Sequence, residues 1–378
     1  MKNNNMKPDD PLEKFSFERN LSENTIRNYN STILDFEKII GKNIKQMLNI
    51  AKKENKNINL EWEDTQLYSW LIKYRNHLYK THKVGAADIK FTRVKAIFRH
   101  YKILLGDLPY FSRKQVKQSD EIDYEDLPTR NEIKDCMNSP STVLKPLTLL
   151  MVYTGISRKD ASNLQIKHYL KSTYDYQGSN NIYTAIKIMR QSQISVIPMF
   201  KLRRIKTGET YRTFAGPEFV DAMNTYLLSR EDDLTLESKL FDIDFRYIND
   251  IFKTANDKYG LGTINGRCRF SPQMLRSYHA TKLSEAGMND SYIDLLQGRK
   301  PQSIARKSYI RVKREKLKEE YIKCLPFLAI EEIEKVRTEL DIVKDEKGRI
   351  QIENNILKTE LDKMDGIMER LSKLEEKN

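Results

Sequence analysis

From Ile333 to Leu371, twelve positions recur at alternating steps of three and four residues: Ile333, Val336, Leu340, Val343, Lys347, Ile350, Asn354, Leu357, Leu361, Met364, Met368 and Leu371. A repeat averaging 3.5 residues keeps one stripe of a helix facing a partner, so this tail is expected to be a coiled-coil strand outside any globular core. Lys347 and Asn354 interrupt the seam, both at the same one of its two positions; polar groups there set register and strand number at a cost in stability. From Glu331 on the tail carries 14 acidic and 10 basic residues, while the whole 378-residue chain has a net charge of +13. The tail is therefore net −4, and about +17 sits on the rest. That excess of cation points to a polyanionic partner on the globular part, and nucleic acid is the leading class.

The globular part reads as helical from its start. Residues 1–11 are polar and expected to be a disordered leader. Ser22 is an N-cap, and Ile26, Tyr29, Ile33, Phe36 and Ile40 then mark one helix face that ends at Gly41. A second stretch from about Trp62 to Tyr79 carries Leu67, Trp70, Leu71, Tyr74 and Leu78. A third, from about Ala86 to Leu105, carries Ile89, Val94, Ile97, Phe98, Tyr101 and Leu104, with Lys90, Arg93, Lys95, Arg99 and Lys102 between them. Pro109 and Pro128 bracket an aperiodic polar run expected to be a linker. Beyond it, Arg130 to Met137 and Leu144 to Tyr153 read as helices, the second fully buried. Residues 182–214 are rich in isoleucine, and with KTGET at 206–210 as a tight turn they suggest a small antiparallel sheet. Helical patterns return from Pro217 to about Leu325.

The expected divisions are thus the leader at 1–11, a helical, basic domain at 12–110, a linker at 111–127, a second domain at 128–325 and the coiled-coil tail at 326–378. The fold class is mainly α with one small antiparallel β-sheet in the second domain. Three widely separated cysteines, Cys136, Cys268 and Cys324, give neither a disulfide framework nor a zinc module, so a reducing cytoplasm is expected. No apolar run approaches the length of a membrane span, and the N-terminus has no secretory pattern.

Three stretches carry chemistry. In YTGISRKDASNL at 153–164 a glycine breaks a buried helix and a new helix opens with Arg158, at a terminus that favours phosphate. Taken alone, Arg158 would pass for a surface partner of Asp160 or Glu132. In KLRRIKTGETYRTF, Lys206 stands before a glycine turn, an exposed place for a flexible cation. In the run 271–309, Pro272 opens a helix that projects Arg276 and His279, Gly287 ends it, and Gly298-Arg299 precede Tyr309 by ten residues.

In this order and spacing the boxes resemble the tyrosine recombinases, most closely their archaeal and mobile-element integrases, across nearly all of 12–325; LSENTIRNY at 21–29 resembles the opening of that family's core-binding domain, and the resemblance implies a SAM-like DNA-binding domain at 12–110 and a catalytic domain at 128–325. Arg158 falls in the first arginine box behind Thr154-Gly155, Lys206 matches the β-hairpin lysine, Arg276 the second arginine and Tyr309 the nucleophile. Three positions depart from the family's pattern. Ser157 holds the slot where many members place the first arginine; Gln273 stands where many carry histidine; Arg299 stands where histidine or tryptophan is usual.

The resemblance implies a site-specific recombinase or integrase that cuts and rejoins DNA through a 3′-phosphotyrosyl link, without ATP, cofactor or metal. Catalytic candidates are Arg158, Lys206, Gln273, Arg276, Arg299 and the nucleophile Tyr309. Two arginines stabilise charge on a pentacoordinate phosphorus, Lys206 protonates the leaving 5′ oxygen, and Gln273 and Arg299 orient the phosphate. Candidate DNA contacts are Lys90, Arg93, Arg99, Lys201, Arg203 and Arg204, each of which could equally be a solvated surface charge. The expected partners are double-stranded DNA at attachment sites and a homotetramer on two sites, with self-association through the tail and no membrane. The expected location is the cytoplasm, at the nucleoid. A type IB topoisomerase uses the same chemistry as a monomer, and a catalytically inactive DNA-binding regulator of a mobile element would share the fold; the complete set of candidate residues argues against the second.

Overall fold

A computed structural model describes residues 10–112, 116, 122–299, 314–340 and 342. The chain divides into two compact units, Met1–Glu121 and Ile122–Asn378.

Among its described residues the first unit is all helical. Its elements are α1 (Pro11–Glu18), α2 (Glu23–Ile40), α3 (Ile44–Glu54), a 3-10 turn at Trp62–Asp64, α4 (Gln66–Thr81) and α5 (Val84–His100). The ends follow local chemistry. Ser22 is the N-cap of α2 and Gly41 closes it in the left-handed region; Thr65 caps α4 by accepting from the Tyr68 amide. Ile33, Phe36, Leu71, Tyr74, Leu78, Val94, Ile97 and Phe98 form the core, as their helical spacing implies. Two expectations fail. Ile89 is 55% exposed, and α5 stops at His100, so Leu104 lies beyond it and is 77% exposed. The apolar period of α5 passes through positions 87, 91 and 94, and Ile89, two positions from both 87 and 91, falls on the opposite face.

The second unit is built around α7 (Leu144–Thr154), in which ten of eleven residues are buried. Against it pack α6 (Arg130–Met137), α11 (Pro217–Leu228), α13 (Pro272–Glu285) and α15 (Arg314–Leu328), and the unit is completed by α8 (Arg158–Ala161), α9 (Ile166–Gln177), α10 (Ile182–Gln191), α12 (Tyr247–Lys258) and α14 (Asp290–Leu296). Among the described residues the sheet content is two hairpins: β1 (Met199–Arg203) with β2 (Thr210–Phe214), and β3 (Thr263–Ile264) with β4 (Arg267–Cys268). The β1–β2 register pairs Met199 with Phe214 and Arg203 with Thr210.

The mainly helical class with a small antiparallel sheet is what the structure has, but the extent of that sheet is corrected. Residues 182–191 are helix, not strand. Ile182, Ala185, Ile186 and Met189 lie on one helical face and are buried, and Asn181 caps the helix by accepting from the Thr184 amide. Isoleucine's strand preference is weak against a matching helical period.

Helix α15 runs through Pro326, and Leu328, Ala329 and Ile330 are buried in the core. The chain therefore leaves the core near Glu331, into a further helix at 332–340. The remainder of the heptad segment, 341 and 343–378, lies outside the described residues, as do 1–9 and most of 113–121. All three cysteines are free, with Cys136 and Cys324 buried. Among the described residues no helix is long and apolar enough to cross a membrane.

Candidate active site

The first arginine box turns on Ser157. Its Oγ accepts the Asp160 amide at 3.2 Å and donates to the Asp160 carboxylate at 2.7 Å, so the serine in the unusual slot is a helix N-cap. Arg158 is then the first helical residue. Its guanidinium pairs with neither Asp160 nor Glu132; it lies over the Phe245 ring at 4.2 Å, and partial burial brings its pKa below the usual value. Glu132 is taken by Arg269 at 2.9 Å.

Arg276, on α13, is buried at 6% exposure. One terminal nitrogen donates to the Gly155 carbonyl and the other to the Gln297 carbonyl at 2.7 Å, while the Gln297 side-chain amide donates back to the Arg276 carbonyl at 3.1 Å. Burial, with Arg204 and Arg299 nearby, brings the Arg276 pKa down to about 10, still cationic at neutral pH. Gly155 is required here. Its φ is +57°, and a Cβ would stand 2.5 Å from the His279 ring. His279 donates from Nδ1 to the Val152 carbonyl at 2.9 Å, and complete burial with Arg276 and Arg299 nearby holds its pKa down to about 3.

Arg158, Gln273 and Arg276 come together on the wall of one pocket of about 460 Å³, which Lys253 and Arg267 also line, against the single acid Asp250. Gln273 is exposed there. Lys206 is exposed in the β1–β2 turn rather than on the pocket wall. That turn is fixed by the Arg204 amide donating to Glu209, and by the Ile205 amide donating 2.9 Å to Asp160 Oδ1. Arg299 points elsewhere: it is exposed, faces Asp294 at 3.8 Å and lines a separate recess with Asp290 and Glu285. Tyr309 lies outside the described residues.

Sequence reasoning missed three supports of the site. Tyr211, on β2, is buried beside Arg276 and Asp160, and its ring fills the space that a Cβ on Gly298 would need. Gln297 and Asp160 act as the ties already described. Gly298 in the box was the available signal; its φ of +63° and its contact with Tyr211 explain the glycine.

The six candidate DNA contacts separate. Lys90 pairs with Asp35 at 3.2 Å and Arg93 donates to Thr32 at 3.3 Å. Arg204 donates to the Gly298 carbonyl at 2.8 Å, and Arg203 to the Gly208 carbonyl at 3.0 Å. Lys201 projects from the exposed face of β1, and Arg99 is exposed beside a recess that it shares with Arg75 and Lys95.

Comparison with known proteins places this geometry. Residues 12–68 match the phage integrase N-terminal SAM-like domain family. Among solved structures, XerH site-specific recombinase bound to a palindromic difH substrate in a post-cleavage complex is 13% identical, with 82% of each chain covered and a TM-score of 0.50. The fold is that of the tyrosine recombinases. A lambda integrase tetramer bound to a Holliday junction is 15% identical over 80% of this chain and 77% of that one, at a TM-score of 0.49. XerA recombinase is 19% identical over 82% and 95%, at a TM-score of 0.34. No curated protein sequence matches the chain. Within the tyrosine recombinase fold, the Arg158–Arg276 pocket belongs to the second unit, and the SAM-like match lies wholly in the first.

Proposed function

We propose that this chain is a site-specific DNA recombinase, an integrase of a mobile element or virus, that cleaves and rejoins strands through a 3′-phosphotyrosyl link. The observation that carries the reading is the convergence of Arg158 and Arg276 on one cation-rich pocket, with the Lys206 turn tied to the Arg158 helix through Asp160. A pocket lined by four cations and one acid suits a phosphodiester better than a neutral ligand.

In the proposed step the Tyr309 oxygen attacks the scissile phosphorus. A tyrosyl–phosphorus bond forms as the bond to the 5′ oxygen breaks; the phenol proton is released to solvent and Lys206 delivers one to the leaving oxygen. Arg158 and Arg276 stabilise the charge on the non-bridging oxygens, so no metal ion is called for; a donor set of this kind is worth about 10²–10³ in rate. Gln273 hydrogen-bonds the phosphate but cannot shuttle a proton as histidine would. Arg299, turned toward Asp294, would have to swing to reach it. The link conserves the bond energy, and a 5′ hydroxyl from a partner strand reverses the step without ATP. Double-stranded attachment sites held by a homotetramer, with the tail taking part in assembly, complete the reading. Arg99 and Lys201 are the first unit's and the hairpin's leading phosphate contacts, and binding should weaken steeply with salt.

The test is a nicked suicide substrate resolved on a denaturing gel. Wild-type protein should form a covalent adduct and Tyr309→Phe should not; no wild-type adduct, or a persisting one in the variant, sinks the assignment. Strand exchange between two linear sites separates a recombinase from a type IB topoisomerase.

A further inference from the structure

The first unit carries a recess of about 640 Å³ between α4, α5 and the segment 105–111 that follows them. Arg75 on α4 lines it, with Lys95 and Arg99 one turn apart on α5. Arg75 is only 8% exposed, yet its Nη1 donates to the Pro109 carbonyl at 2.8 Å and its Nε has no partner. Its guanidinium lies over the Phe111 ring at 5.0 Å, and Phe111 stacks on Tyr79 at 4.8 Å, so the cation is held in place. Lys95 is half-buried over the Phe91 ring at 4.9 Å, and Arg99 is exposed. Among the described residues no carboxylate forms an ion pair with any of the three. Two acids share the wall: Asp88, which accepts the Tyr79 hydroxyl, and the exposed Asp107. Burial, with Arg99 and Arg75 outweighing Asp88, holds Lys95 below the usual lysine range, and burial lowers Arg75 as well. Like charges four apart on one helix repel, and a buried arginine without a counter-ion costs the fold stability unless an anion balances it.

We propose that the recess is a phosphate-ester site, in which Arg75 presents a fixed fork and Lys95 and Arg99 close on the same phosphate group from α5. Two forks and an ammonium arriving from two helices suit an acceptor with oxygens in three directions, which a phosphate has and a planar carboxylate lacks. The volume lies within the range of small-ligand sites, about 300–1,000 Å³, and apolar walls with a few cations leave room for the sugar that carries the ester. The site is separate from the Arg158–Arg276 pocket, which belongs to the second unit. Two sources carry this chemistry, a backbone phosphate of duplex DNA and a free nucleotide. Only the first rests on the recombinase reading.

The test uses the full chain and a labelled duplex of arbitrary sequence, with binding followed by fluorescence anisotropy across a salt series. Each phosphate neutralised contributes about 0.9 to the slope of log K against log salt. If duplex DNA supplies the ester, Lys95→Gln, Arg99→Gln and the double variant should each flatten the slope by about one and weaken binding on the order of tenfold, because both side chains serve one phosphate. Arg75→Lys keeps the charge, loses the fork and should also weaken binding. If a free nucleotide is the source, the slope stays as in wild type. Adenosine monophosphate at constant ionic strength should then raise the melting temperature of wild type, and not that of the double variant or of Arg75→Lys. Circular dichroism checks that each variant is folded, and the Lys95 and Arg99 variants suffice if Arg75→Lys is not. Slope losses that add to about two in the double variant would mark two independent surface charges and overturn the site. So would a double variant, or a folded Arg75→Lys protein, that matches wild type in both measurements. A protein that shows the site but forms no Tyr309 adduct would sink the catalytic reading and leave this one standing.

Discussion

Asp160 Oδ1 accepts the Ile205 amide at 2.9 Å, while Oδ2 accepts the Ser157 hydroxyl at 2.7 Å. One buried carboxylate thus joins the helix turn that presents Arg158 to the hairpin turn that presents Lys206. Replacing it with alanine frees the hairpin turn and removes half of the Ser157 cap. A misplacement of about 1 Å can cost on the order of a hundredfold in rate. Asp160→Ala is therefore expected to slow single-turnover adduct formation by ~10²-fold, with DNA affinity nearly unchanged. Stopped-time denaturing gels beside a binding titration give both numbers; an equal loss in each would mean that the residue only stabilises the fold.

Arg276 is held by two carbonyls, Gly155 and Gln297, through two different nitrogens. A lysine has the charge but cannot span both acceptors. Arg276→Lys should lose about 10²–10³ in adduct rate, the cost of removing a preorganised donor set. Gln297→Leu keeps the backbone carbonyl and removes the returning amide bond, so its loss should be smaller. A larger loss from Gln297→Leu than from Arg276→Lys would reverse the assigned hierarchy.

How much of this was legible in the sequence depends on the range of the interaction. The start of α2 after Ser22, its stop at Gly41 and the buried run of α7 are local, and the residues at those positions state them. The turn at 206–210 is equally local. The helix at 182–191 was misread because isoleucine identity outweighed its own spacing, which places 182, 185, 186 and 189 on one face. The ties through Asp160, Gln297 and Tyr211 were invisible for a different reason. Each joins residues 21 to more than 80 positions apart or buries an unremarkable side chain, and only the packed fold makes them neighbours. Box order could find Arg276, but not which carbonyls hold it or that Arg299 turns toward Asp294.

Two glycines with nearly the same backbone separate strain from crowding. At Gly178, φ +61°, a Cβ would meet nothing within 4 Å, whereas at Gly298, φ +63°, a Cβ would sit 2.7 Å from the Tyr211 ring. Gly178→Ala should cost about 1 kcal/mol, the left-handed penalty alone. Gly298→Ala adds the displacement of a buried ring next to Arg276 and should cost about 2–4 kcal/mol, with lowered adduct formation. Urea unfolding of both variants checks the difference; equal losses would show that Tyr211 gives way freely.

His279 ties the site to pH. Its ring is fully buried, donates to the Val152 carbonyl and has its pKa held down to about 3, against an ordinary value near 6.5. The unfolded chain therefore binds a proton that the folded chain refuses, between roughly pH 6.5 and 3. Stability contributed by the neutral ring is fully present above pH 6.5 and falls as the pH drops through that window, by at most about 1.4 kcal/mol per pH unit. At pH 5 the loss from this group is about 2 kcal/mol relative to pH 7.5. His279→Gln retains a donor for Val152 but does not titrate, so its stability at pH 5 relative to pH 7.5 should be better preserved by about that amount, even if it is less stable than wild type at neutral pH. Paired urea titrations at the two pH values measure it, and parallel acid losses in the two proteins would place the acid sensitivity on other groups.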